Sequence, residues 1–276
     1  MIGVTGATGE IGRRVAARLA ASGKRGRLLV REPSRAPEHD GLEVAEFGGY
    51  DDADGMLAAF AGVSTLLLVS GREAADRLDQ HRCAVDAAKA AGVGRIVYLS
   101  FIGAAADATF TFAREHFHTE QHICASGLQY TFSRQNLYMD LLPLLAGEDG
   151  AIRGPAGDGR VAPVLRDDVA DALLVMLTRG GHEGRTYELT GPEALTLGEM
   201  AAAITAHGDR VVTFYDESLD EAYASRSAYG APDWEVAGWI STYAAVAAGE
   251  MDVVTDHVVR LTGHEPVSVR EFLGTR

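Results

Sequence analysis

The sequence predicts an α/β fold: a doubly wound sheet of parallel strands with a smaller, mostly helical C-terminal lobe. Three observations carry that prediction. The chain opens on a short apolar run that breaks into Gly6, Gly9 and Gly12 and then into a helical pattern. Short apolar runs and helical runs then alternate. Strands separated by helices need crossover connections, which build a parallel sheet covered on both faces. After Gly191 the strand signals give way to helix-start signals.

Ile2 to Thr5 reads as a buried strand, and Ile11, Val15, Ala16 and Leu19 recur at the spacing of one helix face. Each glycine between them has a physical task. Gly6 permits a tight turn, Gly9 lets the backbone approach a pyrophosphate, and Gly12 lets helix and strand pack closely. The free amides at the helix N-terminus face the anion. Glycines also serve plain structural turns. A strand before and a helix after make this one a nucleotide-binding turn.

Further strands are predicted at Arg27 to Val30, Glu43 to Phe47, Thr65 to Ser70, Arg95 to Ser100 and Gln129 to Ser133. Helices fill the gaps at Asp54 to Phe60, about Ala74 to Ala91 and about Ala113 to Ser126, with Gly92 stopping the second. The Gly/Pro-rich stretch from Gly147 to Arg160 reads as a hairpin or an active-site loop. A helix over Asp167 to Arg179 and a strand at Tyr187 to Leu189 return the chain to the sheet. Residues 1–145 are thus expected to form the dinucleotide-binding domain, its sheet completed by about residues 160–190, and residues 191–276 the smaller lobe. Thr196 with Glu199 and Ser218 with Glu221 are spaced as capping boxes and start two helices there. The aromatics Trp234, Trp239 and Tyr243 read as core before they read as cofactor contacts.

The end of the second strand is the next diagnostic address. A fold selective for NAD places Asp or Glu there to accept from the ribose hydroxyls, whereas one selective for NADP places Arg to pair with the 2′-phosphate. This chain has L-L-V-R-E, putting Arg31 at that position, with Arg35 nearby. Glu32 competes for the ribose, and a solvated surface charge is the plain alternative for Arg31. The balance favours NADP(H).

At 276 residues, 47% hydrophobic and 23% charged, the chain has ample core. Its formal charge of -14 repels nucleic-acid phosphates and anionic lipid, and no basic patch offsets it. No apolar run has the length to span a bilayer, and the first strand begins at Met1, which leaves no room for a signal peptide. The expectation is a cytoplasmic protein, monomer or homodimer, with a small-molecule substrate and no nucleic-acid or membrane partner. Cys83 and Cys124 fall in helical patterns and read as buried thiols, not as a disulfide or metal pair.

Several segments carry a family resemblance. They are T-G-A-T-G-E-I-G, the L-V-R after the second strand, A-A-K-A-A-G-V-G-R-I-V-Y-L-S ending at Ser100, His118 to Glu120, S-G-L-Q-Y-T-F-S-R-Q-N-L-Y and T-G-P-E-A-L-T. Together they resemble the NmrA-like branch of the atypical short-chain dehydrogenases, nearest the type 2 NAD(P)H:quinone oxidoreductases and triphenylmethane reductases. The resemblance implies a seven-stranded Rossmann-type sheet with the cofactor across the strand ends and the substrate between the lobes. It implies that Gly6, Thr8, Gly9, Glu10 and Ile11 contact the pyrophosphate and that Arg31 holds the 2′-phosphate. Tyr50 and Asp51 match a segment near the adenine, with Gly49 where relatives often carry Asp. The resemblance further implies that Val69 and Ser70 border the nicotinamide side, with Ser100 beneath it as a catalytic candidate.

The chemistry turns on a substitution. Standard short-chain dehydrogenases use a Tyr-x-x-x-Lys pair in which the lysine lowers the tyrosine pKa. Counting back from Ser126-Gly127, Phe112 and His116 stand at those positions, and phenylalanine transfers no proton. Quinones and triarylmethane dyes need less help, because the acceptor is electron-poor and its reduced form is conjugated. His116 is then the candidate acid, or an anchor for the nicotinamide ribose, on the premise that an imidazole titrates near neutrality. The alternative is a helix-surface histidine beside His118 and His122. Those two share a helix face, yet no H-E-x-x-H pattern accompanies them, and no metal is expected. Tyr138, leaving the sixth strand with Arg134 and Asn136, is a candidate to orient a planar substrate, or else a packing residue. Phe214, Tyr223, Tyr229 and Trp234 are candidates for an apolar wall. Two readings follow: an NADPH-dependent reductase of quinones or similar conjugated acceptors, or a non-catalytic NAD(P)-sensing regulator of the NmrA type.

Overall fold

The computed structural model describes Met1 to Thr275. The first part of the chain runs β1 (Ile2–Thr5), α1 (Glu10–Ala21), β2 (Gly26–Val30), β3 (Leu42–Glu46), α2 (Ala53–Phe60), β4 (Thr65–Val69), α3 (Arg77–Ala90), β5 (Arg95–Phe101), α4 (Thr111–Ser126) and β6 (Gln129–Gln135). There follow β7 (Ala151–Gly154), β8 (Arg160–Val161), α5 (Arg166–Thr178), β9 (Arg185–Leu189), β10 (Leu195–Thr196), α6 (Leu197–His207) and β11 (Thr213–Asp216). Four helices close the chain: α7 (Leu219–Arg226), α8 (Asp233–Ala247), α9 (His257–Thr262) and α10 (Val269–Gly274).

The main sheet has seven strands in the order β3-β2-β1-β4-β5-β6-β9. β1 pairs in parallel with both β2 and β4, β2 with β3, and β4 with β5. The chain winds outward from β1 to β3, then restarts on the other side of β1 with β4. Winding therefore reverses between β1 and β4, and a crevice opens at their carboxyl ends. All seven residues of β5 are buried, as a central parallel strand covered on both faces must be. One face of the sheet packs Phe60, Leu66, Leu68, Ile96, Tyr98 and Phe132 into a continuous core.

Two compact units divide the chain. The first holds Met1–Phe101, Glu115–Arg134 and Arg166–Tyr187; the second collects Ile102–Arg114, Gln135–Leu165 and the chain from Glu188 onward. Within the second unit, both expected capping boxes form, Thr196 with Glu199 and Ser218 with Glu221, and Ser268 with Glu271 adds a third. The buried Arg226 guanidinium donates to Glu217 at 2.8 Å and to the Arg153 carbonyl at 2.9 Å.

Four expectations need correction. The Gly147 to Arg160 stretch is neither a hairpin nor a bare loop: β7 pairs in parallel with β11, and β8 pairs antiparallel with β10. α3 begins at Arg77 instead of about Ala74, because the Gly71 amide is taken by His81 and a turn closes from Arg77 N–H to the Ala74 carbonyl. Cys124 is exposed, and Cys83 is half-buried against the core. Trp234 keeps 37% of its surface, so it is not sealed core. Gly92 does end α3, with φ +78 and its amide bonded to the Lys89 carbonyl.

Candidate functional site

β1 ends in a turn that only glycine fits. Gly6 has φ +59, a region an L side chain rarely adopts, and its carbonyl accepts from the Gly9 amide at 2.9 Å. A Cβ on Gly12 would sit 2.2 Å from the Gly6 oxygen and 2.8 Å from the Ala7 Cα. Gly9 is the N-cap of α1 and supplies no side-chain acceptor. The first amides of α1 are therefore left for an anion.

This turn forms one end of a cleft of about 670 Å³ at the switch point of the sheet. Gly6, Thr8 and Gly9 line it with Arg31 from the end of β2, Tyr50 and Asp51 from beyond β3, and Val69 and Ser70 from the end of β4. Arg31 is exposed on its wall, and no ion pair among the described residues engages it. Glu32, the competitor for the ribose, lies 3.5 Å from Arg35 instead. Glu10, Ile11 and Gly12 lie outside the lining. The Glu10 carboxylate pairs with Arg13 and Arg14, and Ile11 is core.

The floor of the cleft is braced by Tyr50. Its hydroxyl lies 2.6 Å from both Thr5 Oγ1 and the Val69 carbonyl, while Thr5 Oγ1 also accepts from the Val69 amide. Burial holds the phenol well above its ordinary pKa, so it stays a donor. Gly49 takes φ +139, which explains a glycine there. Asp52 caps α2 by accepting from the Gly48 and Gly55 amides, and those bonds lower its pKa.

Of the three residues nominated for chemistry, His116 and Ser100 belong to the first unit. His116 is 5% exposed, stacked on Phe101, with Nδ1 2.8 Å from the Tyr98 hydroxyl. It is not a surface histidine. Neither is it near-neutral in its titration: burial pushes its pKa well down, and Arg77, His81 and Arg134 add to the effect. Ser100 is fully buried, and its hydroxyl donates to Glu120 at 2.6 Å. Tyr138 belongs to the second unit, half-buried, with its backbone bridged to Val164. Arg134 binds Glu120 through two nitrogens, and Asn136 donates to the Met251 carbonyl at 3.0 Å. Phe112 is apolar filling against Phe110 and Trp234. His118 is exposed, and His122 lies 2.8 Å from Asp86.

Two clusters escaped sequence reasoning. One is Ser100–Glu120–Arg134, a carboxylate 2% exposed and clamped by a guanidinium. Glu120→Ala should cost about 3 kcal/mol in denaturant unfolding, because it removes the acceptor for both Ser100 and Arg134 inside the fold. A loss under about 1 kcal/mol would show the clamp to be marginal. The other cluster is His81, Tyr98, Thr119 and His116, whose members lie on three elements. His116, Ser100, Arg134 and the H-T-E segment were each visible in the sequence, but not their grouping.

A family model described as NAD(P)H-binding matches residues 6–179. Quinone oxidoreductase 2 of Escherichia coli is 36% identical over 240 residues, which span 84% of this chain and 83% of that protein. The crystal structure of E. coli NADPH-dependent quinone oxidoreductase QOR2 with NADPH matches with TM-score 0.91 and 32% identity, covering 100% of this chain and 99% of that one. NAD(P)H azoreductase of Xenophilus azovorans is 30% identical over 277 residues, 99% of this chain and 96% of that protein. Triphenylmethane reductase of Citrobacter sp. complexed with NADP(H) matches with TM-score 0.86 and 31% identity, covering 100% of this chain and 99% of that one.

Proposed function

The chain belongs to the NAD(P)H-binding, NmrA-like family, and from that premise we propose that it is an NADPH-dependent reductase of quinones or similarly conjugated aromatic acceptors. The observation that carries this reading is the cleft itself. It joins a glycine turn with helix N-terminal amides at one end to a guanidinium on its wall that no carboxylate among the described residues engages. A pyrophosphate fits the first feature and a 2′-phosphate the second. Relatives that act on quinones, azo compounds and triphenylmethane dyes support the acceptor class.

Gly6, Thr8, Gly9 and the first amides of α1 would hold the pyrophosphate, and Arg31 the 2′-phosphate. Tyr50 and Asp51 border the adenine side, Val69 and Ser70 the nicotinamide side. When bound, NADPH supplies the hydride. The chain's own part is to bind, orient and hydrogen-bond. A conjugated acceptor stabilises the charge it receives, so a strong protein acid is not required. Phe112, standing where a catalytic tyrosine is expected, agrees with such chemistry, as does a neutral His116. Tyr138 remains the candidate for orienting a planar acceptor.

Loss of nicotinamide absorbance with a panel of quinones, azo compounds and triarylmethane dyes tests the reading. The expected result is acceptor-dependent NADPH oxidation with at least one class. Tight NADPH binding with no turnover of any acceptor would move the assignment to a cofactor-sensing protein.

A further inference from the structure

The protons of the buried histidine cluster can be assigned from its geometry. The Gly71 amide donates to His81 Nε2 at 2.8 Å, so that nitrogen is an acceptor. A neutral imidazole has one N–H, and His81 must carry it on Nδ1. From there it reaches Thr119 Oγ1 at 3.0 Å, with the Tyr98 hydroxyl at 3.4 Å. The Thr119 hydroxyl in turn donates a hydrogen bond to the Glu115 carbonyl at 2.8 Å. Since His81 Nδ1 is a donor, it cannot accept from Tyr98. The acceptor left at short range is His116 Nδ1, 2.8 Å from the phenol oxygen.

We propose that Tyr98 is a positioning residue that fixes His116 in the tautomer with its proton on Nε2, so that His116 serves the acceptor side as a neutral hydrogen-bond donor. The proposal deepens the reductase reading and rests on it for the word acceptor; the tautomer assignment stands apart. Nε2 of His116 has no hydrogen-bond partner among the described residues, so it is the ring nitrogen left to carry the donor role in this proposal. The loop that supplies the Gly71 amide also lines the cofactor cleft. His81 thereby links the position of that loop to the proton arrangement beneath it. The titratable and charged groups around His116 come from every neighbouring element: the Arg77 cation and neutral His81 on α3, the Arg134 cation on β6, and the Tyr98 phenol on β5. Glu115 and Glu120 on its own helix are taken up by Arg77 and Arg134. His81 itself has its pKa lowered to about 3 by burial and by Arg77, so it keeps this arrangement across the working pH range.

Long-range proton–nitrogen correlation spectra of ring-labelled protein test the assignment directly. The expected spectrum shows His116 protonated on Nε2 and His81 on Nδ1, both unchanged from about pH 5 to pH 9. Tyr98→Phe should leave His81 as it is and mix the two tautomers of His116. In turnover it should lower kcat about tenfold while the NADPH KM stays put. Thr119 also faces the phenol. A His116 ring protonated on Nδ1 would mean that Tyr98 accepts from it and donates to Thr119, and would overturn the proposal. So would a His116 that titrates near its ordinary value, or a Tyr98→Phe spectrum identical to the parent. The ring spectra need no substrate. Failure of every acceptor in turnover would therefore count against the reductase reading alone.

Discussion

Gly12→Ala should abolish measurable NADPH binding and cost the fold roughly 3 kcal/mol, the upper end of what overpacking does. The added Cβ meets the Gly6 oxygen at 2.2 Å, the Gly6 carbonyl carbon at 2.6 Å and the Ala7 Cα at 2.8 Å. All three are backbone atoms, so no rotamer change relieves the clash. α1 has to move off the turn, and its N-terminal amides move with it. Those amides are the proposed pyrophosphate site, so stability and binding fall together. Gly180→Ala is the matched control: a Cβ there meets nothing within 4 Å and the backbone φ is ordinary. Denaturant midpoints and calorimetry on the two variants separate the cases. A Gly12→Ala protein that keeps both parental values would mean that the close approach of helix and turn is dispensable.

Arg31→Ala should weaken NADPH about thirty- to a hundredfold and NADH less than about twofold. A charge-assisted bond from a guanidinium to a phosphate contributes on the order of 2 to 3 kcal/mol, and NADH has no phosphate to lose it. With a formal charge of -14, the chain as a whole repels the dianion, which makes a local cation matter more. Arg35 also lines the cleft, but it shares its charge with Glu32 at 3.5 Å. Arg31→Lys should recover only part of the loss, since an ammonium lacks the planar fork. The NADPH preference should shrink as salt rises. Equal losses for both cofactors would remove Arg31 from the 2′-phosphate.

The parts of this molecule that were legible in the sequence are those whose signals are local. Gly6, Gly9 and Gly12 fall within seven residues, Arg31 directly follows its strand, and Thr196 with Glu199 are three residues apart. Each is a short-range stereochemical requirement: Gly6 takes a positive φ, Arg31 lines the cleft, and the Thr196 capping box forms. What stayed hidden depends on partners distant in the chain. β7 is a strand only because Thr213 to Asp216 come to lie beside it, so Ala151 to Gly154 read as loop. His116 reads as a titrating histidine until β5 supplies Tyr98, α3 supplies Arg77 and the fold removes the water. Arg134 reads as a site residue until Glu120 claims it. The glycine turn and the lining of the cleft were therefore readable, and the buried histidine cluster was not. A phosphate cradle is built from backbone, whereas a tautomer is set by tertiary neighbours.

A crystal structure of the chain grown with NADPH tests the central claim most directly. The expected density puts the pyrophosphate on the Gly6–Gly9 turn and the 2′-phosphate within hydrogen-bond reach of the Arg31 guanidinium, with the nicotinamide toward Val69 and Ser70. Density for the dinucleotide elsewhere, or a 2′-phosphate turned away from Arg31 into solvent, would contradict it.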